Sequence, residues 1–96
     1  KDTRIDKANT AVNGVLDYKH YSDAMNRSWV FRTIGYGSGE DAWREIVSAL
    51  RTIDYDYVMS IEHEDGLMTQ REGLEKAVAV LKKVMTFQGK GVMTWA

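Results

Sequence analysis

Glu62-His63-Glu64-Asp65 is the densest run of chemistry-bearing side chains in the sequence, with carboxylates and an imidazole at consecutive positions. It follows Tyr57-Val58-Met59-Ser60-Ile61, which is apolar almost throughout. Residues 57–62 therefore read as a strand of a parallel sheet covered on both faces. Ligands of such sheets bind beyond the carboxyl ends of the strands. A carboxylate placed there can coordinate a hard divalent cation or move a proton. Successive strand side chains point to opposite faces, so Glu62 and His63 cannot both aim inward. With Glu62 inward, Ser60 and Val58 face the same way, and Met59 and Ile61 pack outward against helices. Taken as residues alone, the run reads equally well as a solvated loop, because one or two ligands do not hold a metal.

Gly35-Tyr36-Gly37-Ser38-Gly39 is a second chemical feature, since it leads into a predicted helix N-terminus where backbone N–H groups attract an anion such as phosphate. It is not a P-loop, because no Lys-Ser/Thr follows, and Glu40 stands where a dinucleotide fingerprint needs glycine. A flexible turn into the helix is the plainer reading. Arg32 and Arg4 could hold anionic or hydroxyl groups of a substrate, although surface arginines are common. His20, between Tyr18 and Tyr21, fits packing or solvent better than a metal. Trp29, Phe31, Tyr36 and Trp43 read as core and loop anchors, or as an aromatic wall for a sugar ring. Ser60 has no adjacent histidine in a workable geometry, so serine-hydrolase chemistry is unsupported.

The elements that must position these residues are few. Residues 1–39 read as a long loop after a truncated strand, with Trp29 to Arg32 extended or packed as an anchor, and so long an irregular stretch is often an active-site loop. Ala42, Ile46, Ala49, Leu50 and Ile53 recur at helical spacing and predict a helix over 40–53. Ser38 with Asp41 fits a capping box at its start. Thr69 with Glu72 fits another, opening a helix over 70–86 whose stripe is Leu74, Ala77, Val78, Leu81, Val84 and Met85. Residues 87–96 form a tail that ends on an apolar segment. Helix, strand and helix in this order are the repeat unit of an α/β protein. One strand cannot make a sheet, and Lys1 is no initiator, so the chain is expected to be part of something longer.

Composition narrows the function classes. The 96 residues carry a net charge of −1, with 44% hydrophobic and 28% charged residues, as in an ordinary folded domain. This is not the footprint of a nucleic-acid binder. The absence of cysteine excludes disulfides and thiolate metal sites. No apolar run approaches the ~20 residues needed to span a bilayer. A cytoplasmic location is the expectation.

The run Trp29-Val30-Phe31-Arg32-Thr33-Ile34-Gly35-Tyr36-Gly37, then Trp43, Ala49-Leu50-Arg51 and Ser60-Ile61-Glu62-His63-Glu64-Asp65, resembles the sugar phosphate isomerase/epimerase family with its xylose-isomerase-like TIM barrel. The likeness extends to Glu72-Gly73-Leu74 and Trp95-Ala96. Lys1-Asp2 resembles the tail of that family's His-x-Lys-Asp motif closing the seventh strand, and Tyr57 to Glu62 then resembles the eighth. The resemblance implies an α/β fold made of the last two βα units of a (β/α)8 barrel, completed by oligomerisation or by further sequence. It also implies a divalent metal (Mn, Mg, Co or Zn) held by two glutamates, an aspartate and a histidine. Glu62 would be the last of these ligands and a catalytic proton carrier, with Arg32, Arg4 and Asp2 binding substrate. The metal would polarise the substrate carbonyl and stabilise an enediolate, giving epimerisation or ketose–aldose exchange. The other ligands fall outside the chain, which is therefore expected to be inactive alone and homo-oligomeric. Asp54 and Tyr57 depart from the family, which often has glycine there. Two alternatives stand beside this reading: an endonuclease-IV-like apurinic-site nuclease of the same fold, and an inactive, strand-exchanging structural fragment.

Overall fold

A computed structural model describes residues 1–95 of the chain. Strand β1 (Asp2–Ile5) is followed by helix α1 (Lys7–Asn13), strand β2 (Trp29–Arg32), helix α2 (Glu40–Thr52) and helix α3 (Gln70–Val84). The strands pair antiparallel, with Asp2 opposite Arg32 and Ile5 opposite Trp29. They form a two-stranded sheet.

This architecture overturns the expected barrel segment. No parallel pair and no (β/α)8 portion is present among the described residues. Residues 57–62, read above as a barrel strand, belong to no sheet. A strand exists only by hydrogen bonding to a neighbour, and the two β segments of this chain use each other. The alternation survives without a ladder: Met59 and Ile61 pack on the helical core, while Val58, Ser60 and Glu62 stay exposed. The long N-terminal loop likewise contains β1, α1 and β2. Asp6 caps α1 by accepting a hydrogen bond from the Asn9 N–H at 2.9 Å. Asn9 and Asn13 then tie α1 to the carbonyls of Met25, Arg27 and Asn26, which folds β2 back beside β1.

The core lies between α2 and α3 and is built from Ile34, Val47, Ala77, Leu81 and Val84. Helix α2 buries Val47, with Trp43 and Leu50 half-buried, so the buried face is turned from the predicted one. Ile46 and Ile53 are 42% and 72% exposed. Gly39, with no side chain to offer, is the N-cap of α2, so the Ser38–Asp41 box does not form. Thr69 does cap α3, its hydroxyl accepting from the Glu72 N–H at 3.2 Å. The apolar tail lies open, with Val92, Met93 and Trp95 each exposed, and Ala96 is outside the described residues. The radius of gyration is 16.5 Å, against about 12.5 Å for a compact chain of this length.

Candidate functional site

The four carboxylates of the N-terminal strand and the 62–65 run have very different surroundings. Asp2 is buried. Its Oδ2 accepts hydrogen bonds from the backbone N–H groups of Gly35, Gly37 and Ser38 at 3.1, 3.2 and 2.8 Å and from the Trp43 indole at 3.1 Å. Its Oδ1 accepts from the Thr3 N–H at 2.8 Å. Burial pushes the Asp2 carboxyl up, but the hydrogen bonds from Ser38, Trp43, Thr3 and Gly35 outweigh it and hold the group below its usual value. The glycine-rich loop is thus an anion cradle, and the anion is the protein's own. A Cβ on Gly37 would overlap the Thr3 carbonyl, so this close approach requires glycine, and Gly35 has φ +94°. Asp2, read as a substrate ligand, is committed to the fold.

Asp65 plays a matching role at the same end of β2, where Arg32 lies opposite Asp2. Its side chain accepts from Arg32 Nε at 2.9 Å and the Thr33 N–H at 2.7 Å through Oδ2, and from the Leu67 N–H at 2.8 Å through Oδ1. Burial is again the largest influence and pushes its carboxyl up, yet the hydrogen bonds from Thr33, Leu67 and Arg32 bring it below the usual range. Arg32 is thereby anchored by one guanidinium nitrogen, with its guanidinium carbon 5.6 Å from the Tyr36 ring centroid.

Glu62 and Glu64 are exposed and share one partner. The Lys1 ammonium lies 2.6 Å from Glu64 Oε1 and 3.3 Å from Glu62 Oε2, and 4.2 Å from the Phe31 ring centroid. The hydrogen bond to Glu64 is the main cause that holds the Lys1 ammonium above its ordinary pKa, partly offset by burial and aided by Glu62. His63 turns the other way, as strand-like alternation requires, and its ring lies so close to Gly73 of α3 that a Cβ there would overlap it.

Beside this cluster lies a cleft of about 480 Å³, lined by Tyr21, Phe31, Arg32, His63, Glu64 and Leu67 among others. Its aromatic side is built by Tyr21 stacked on Phe31 (centroids 5.7 Å apart, 21° between planes), with Trp29 edge-on to both. The Arg27 guanidinium caps Tyr21 and Trp29 at 4.4 and 4.7 Å. It is held there by the carbonyls of Trp29 and Lys19. Of the predicted aromatic wall, Phe31 lines the cleft, Trp29 supports it, and Trp43 serves Asp2 instead. Tyr21, Arg27 and Lys1 went unread as parts of the site. Lys1 acts through Glu64, 63 residues away, and Tyr21 and Arg27 act through contacts that no helical or strand period records.

The remaining sequence-predicted residues lie apart. Arg4 sits in β1 opposite Val30, its buried Nε without a partner among the described residues. His20 is exposed and bonds to the Ser22 hydroxyl at 2.8 Å. Among the described residues no group of three or more His, Cys, Asp and Glu side chains is placed to hold a metal ion. The cation between Glu62 and Glu64 is the Lys1 ammonium. These side chains do not by themselves fit the divalent ion that the resemblance implies.

No helix among the described residues is long and apolar enough to cross a membrane. No family model matches the chain, and no solved structure matches it. The chain is similar to the uncharacterized protein YfiH of Bacillus subtilis (strain 168), with 34% identity over 86 residues. That match takes in 90% of this chain and spans 28% of the length of the relative.

Proposed function

We propose that the chain contributes to a sugar or sugar-phosphate isomerase or epimerase that works by proton transfer next to a carbonyl. The observation that carries this reading is the Lys1–Glu62–Glu64 cluster beside an aromatic-sided cleft. Apolar ring faces stack on the C–H face of a sugar, and a small-molecule site of a few hundred Å³ is the usual scale. In this scheme the Glu62 carboxylate takes the proton from the carbon adjacent to the carbonyl. The C–H electron pair moves to form a carbon–carbon double bond, and the carbonyl oxygen becomes an enediolate oxygen beside the Lys1 ammonium. Delivery of a proton to the same carbon by a second group on the other face gives the epimer, while return of the proton by Glu62 to the former carbonyl carbon, with the substrate's hydroxyl proton passing to the enediolate oxygen, gives the ketose–aldose isomer. Atoms and electrons balance without an added oxidant.

The test is deuterium uptake from D2O into a ketose and into its phosphate, with and without added Mn2+, for the wild type and Glu62→Gln. Exchange at the carbon next to the carbonyl, lost in Glu62→Gln, is the expected result. Exchange that is absent, or indifferent to Glu62, rejects the reading. A requirement for Mn2+ would return the metal of the resembled family to the scheme.

A second reading, a self-associating chain without activity of its own, is favoured by the exposed apolar side chains of one region. Val12, Leu16 and Tyr18, within one short segment, are 83%, 89% and 98% exposed, and exposed apolar patches mark interaction sites. Light scattering at increasing concentration tests it, and a monomer throughout rules it out.

A further inference from the structure

The two-stranded sheet has two outer edges, and they are treated differently. On the outer edge of β1, the loop around Gly37 abuts the Thr3 carbonyl. Between the strands, the Asp6 N–H donates to the Ser28 carbonyl at 2.8 Å. Antiparallel ladders alternate, so Ser28, Val30 and Arg32 turn their main-chain groups toward β1, while Trp29, Phe31 and Thr33 turn theirs outward. Three of these outward groups already have partners. The Thr33 N–H donates to Asp65 and its carbonyl accepts from the Tyr36 N–H at 2.9 Å. The Trp29 carbonyl accepts from Arg27 Nε at 3.1 Å. Between them, Phe31 lines the cleft with neither its outward N–H nor its outward C=O partnered among the described residues.

We infer that the Phe31 main chain is a docking point for two neighbouring hydroxyl groups of a polyol ligand, one accepting from its N–H and the other donating to its C=O. This rests on the sugar reading of the cleft and adds the subsite that orients the substrate. An added β-strand is the other way to satisfy an open edge, but it needs free groups at alternating residues on both sides. Here both Thr33 groups and the Trp29 carbonyl are already taken, leaving Phe31 as the one of the three outward residues with both groups open. One open residue suits a diol. Main-chain recognition makes no demand on the carboxylates of Glu62 and Glu64, and it seats the ligand in the cleft that Glu64 and Tyr21 also line.

Amide exchange and chemical shifts of the 15N-labelled chain, titrated with D-fructose and separately with its 6-phosphate, test this. The Phe31 amide exchanges fast in the free chain, and near saturation it shifts strongly and slows by about tenfold, since ~90% occupancy leaves a tenth of the time for exchange. Phe31→Leu keeps the shift at position 31 while weakening binding, because it retains the main chain and removes the aromatic face. Shifts at Tyr21 and Glu64 without one at Phe31 overturn this inference and leave the sugar reading standing. Binding at Phe31 without deuterium uptake into the sugar upholds the subsite and rejects the isomerase. No shift anywhere with either sugar overturns both. Protection of Phe31 that grows with protein concentration alone assigns the edge to a second copy and overturns the diol.

Discussion

Glu62 and Asp65 lie three residues apart and carry the same functional group, yet they do opposite work. Asp65 is 4% exposed and its oxygens are filled by donors from Arg32, Thr33 and Leu67. Glu62 has a side chain 70% exposed, with Lys1 beside it at 3.3 Å. Lys1 and Asp2 repeat the contrast at adjacent positions, one cation reaching out to the cleft and one carboxylate sealed in a cradle of N–H groups. A buried carboxylate is tolerable only when fully hydrogen-bonded, and full hydrogen bonding leaves nothing for a ligand. Exposed, half-satisfied groups beside a cleft are the ones available for chemistry.

The most severe way to probe this division is Asp2→Ala. It strands the donors of Thr3, Gly35, Gly37, Ser38 and Trp43, and each buried unsatisfied group costs ~1–3 kcal/mol. A loss of about 3 kcal/mol or more is expected in urea unfolding, and a loss below 1 kcal/mol would show that the cradle does not organise the loop. Asp65→Asn comes next, at about 2 kcal/mol, because an amide turns a donor toward N–H groups that need an acceptor. Acid supplies a graded version of both. The carboxyls of Asp2 and Asp65 are held below the ordinary 3.8 in the fold, so the unfolded chain takes up protons first as pH falls. Their contribution is full above about pH 5 and is lost as pH drops through 3.8 toward the folded values. The urea midpoint of the wild type should fall across that window, and Asp2→Asn should flatten the fall. The smallest structural effect is expected for Glu62→Gln, whose urea midpoint should match the wild type while deuterium uptake is lost. A destabilised Glu62→Gln protein would move Glu62 to the structural side of the comparison.

Some features that depend on neighbours in sequence were legible, although the Ser38–Asp41 box and helix α1 with its Asp6 cap were not. Thr69 opens α3, and the apolar stripe through Ala77, Leu81 and Val84 enters the core as its spacing requires. The alternation of Met59 and Ile61 against Val58, Ser60 and Glu62 also appears, although no strand forms there. The barrel did not follow, because a run of strand-like residues carries no information about which partner will lie beside it. Asp2 shows the same dependence: its type and position suggested a substrate ligand, while its surroundings are set by loop N–H groups 33 to 36 residues away.

The sequence by itself determined the two long helices, the cap at Thr69, the alternation of residues 57–62 and the gathering of acidic side chains at 62–65. Each of these follows from interactions within a turn or two of chain, where spacing is geometry. Only the tertiary structure decided that β1 pairs antiparallel with β2, that the glycine-rich loop closes on Asp2, and that Lys1 comes to rest against Glu64 across a separation of 63 residues. Such choices are settled by which distant groups can satisfy each other's charge and hydrogen bonds once the core has closed, and no local period records them.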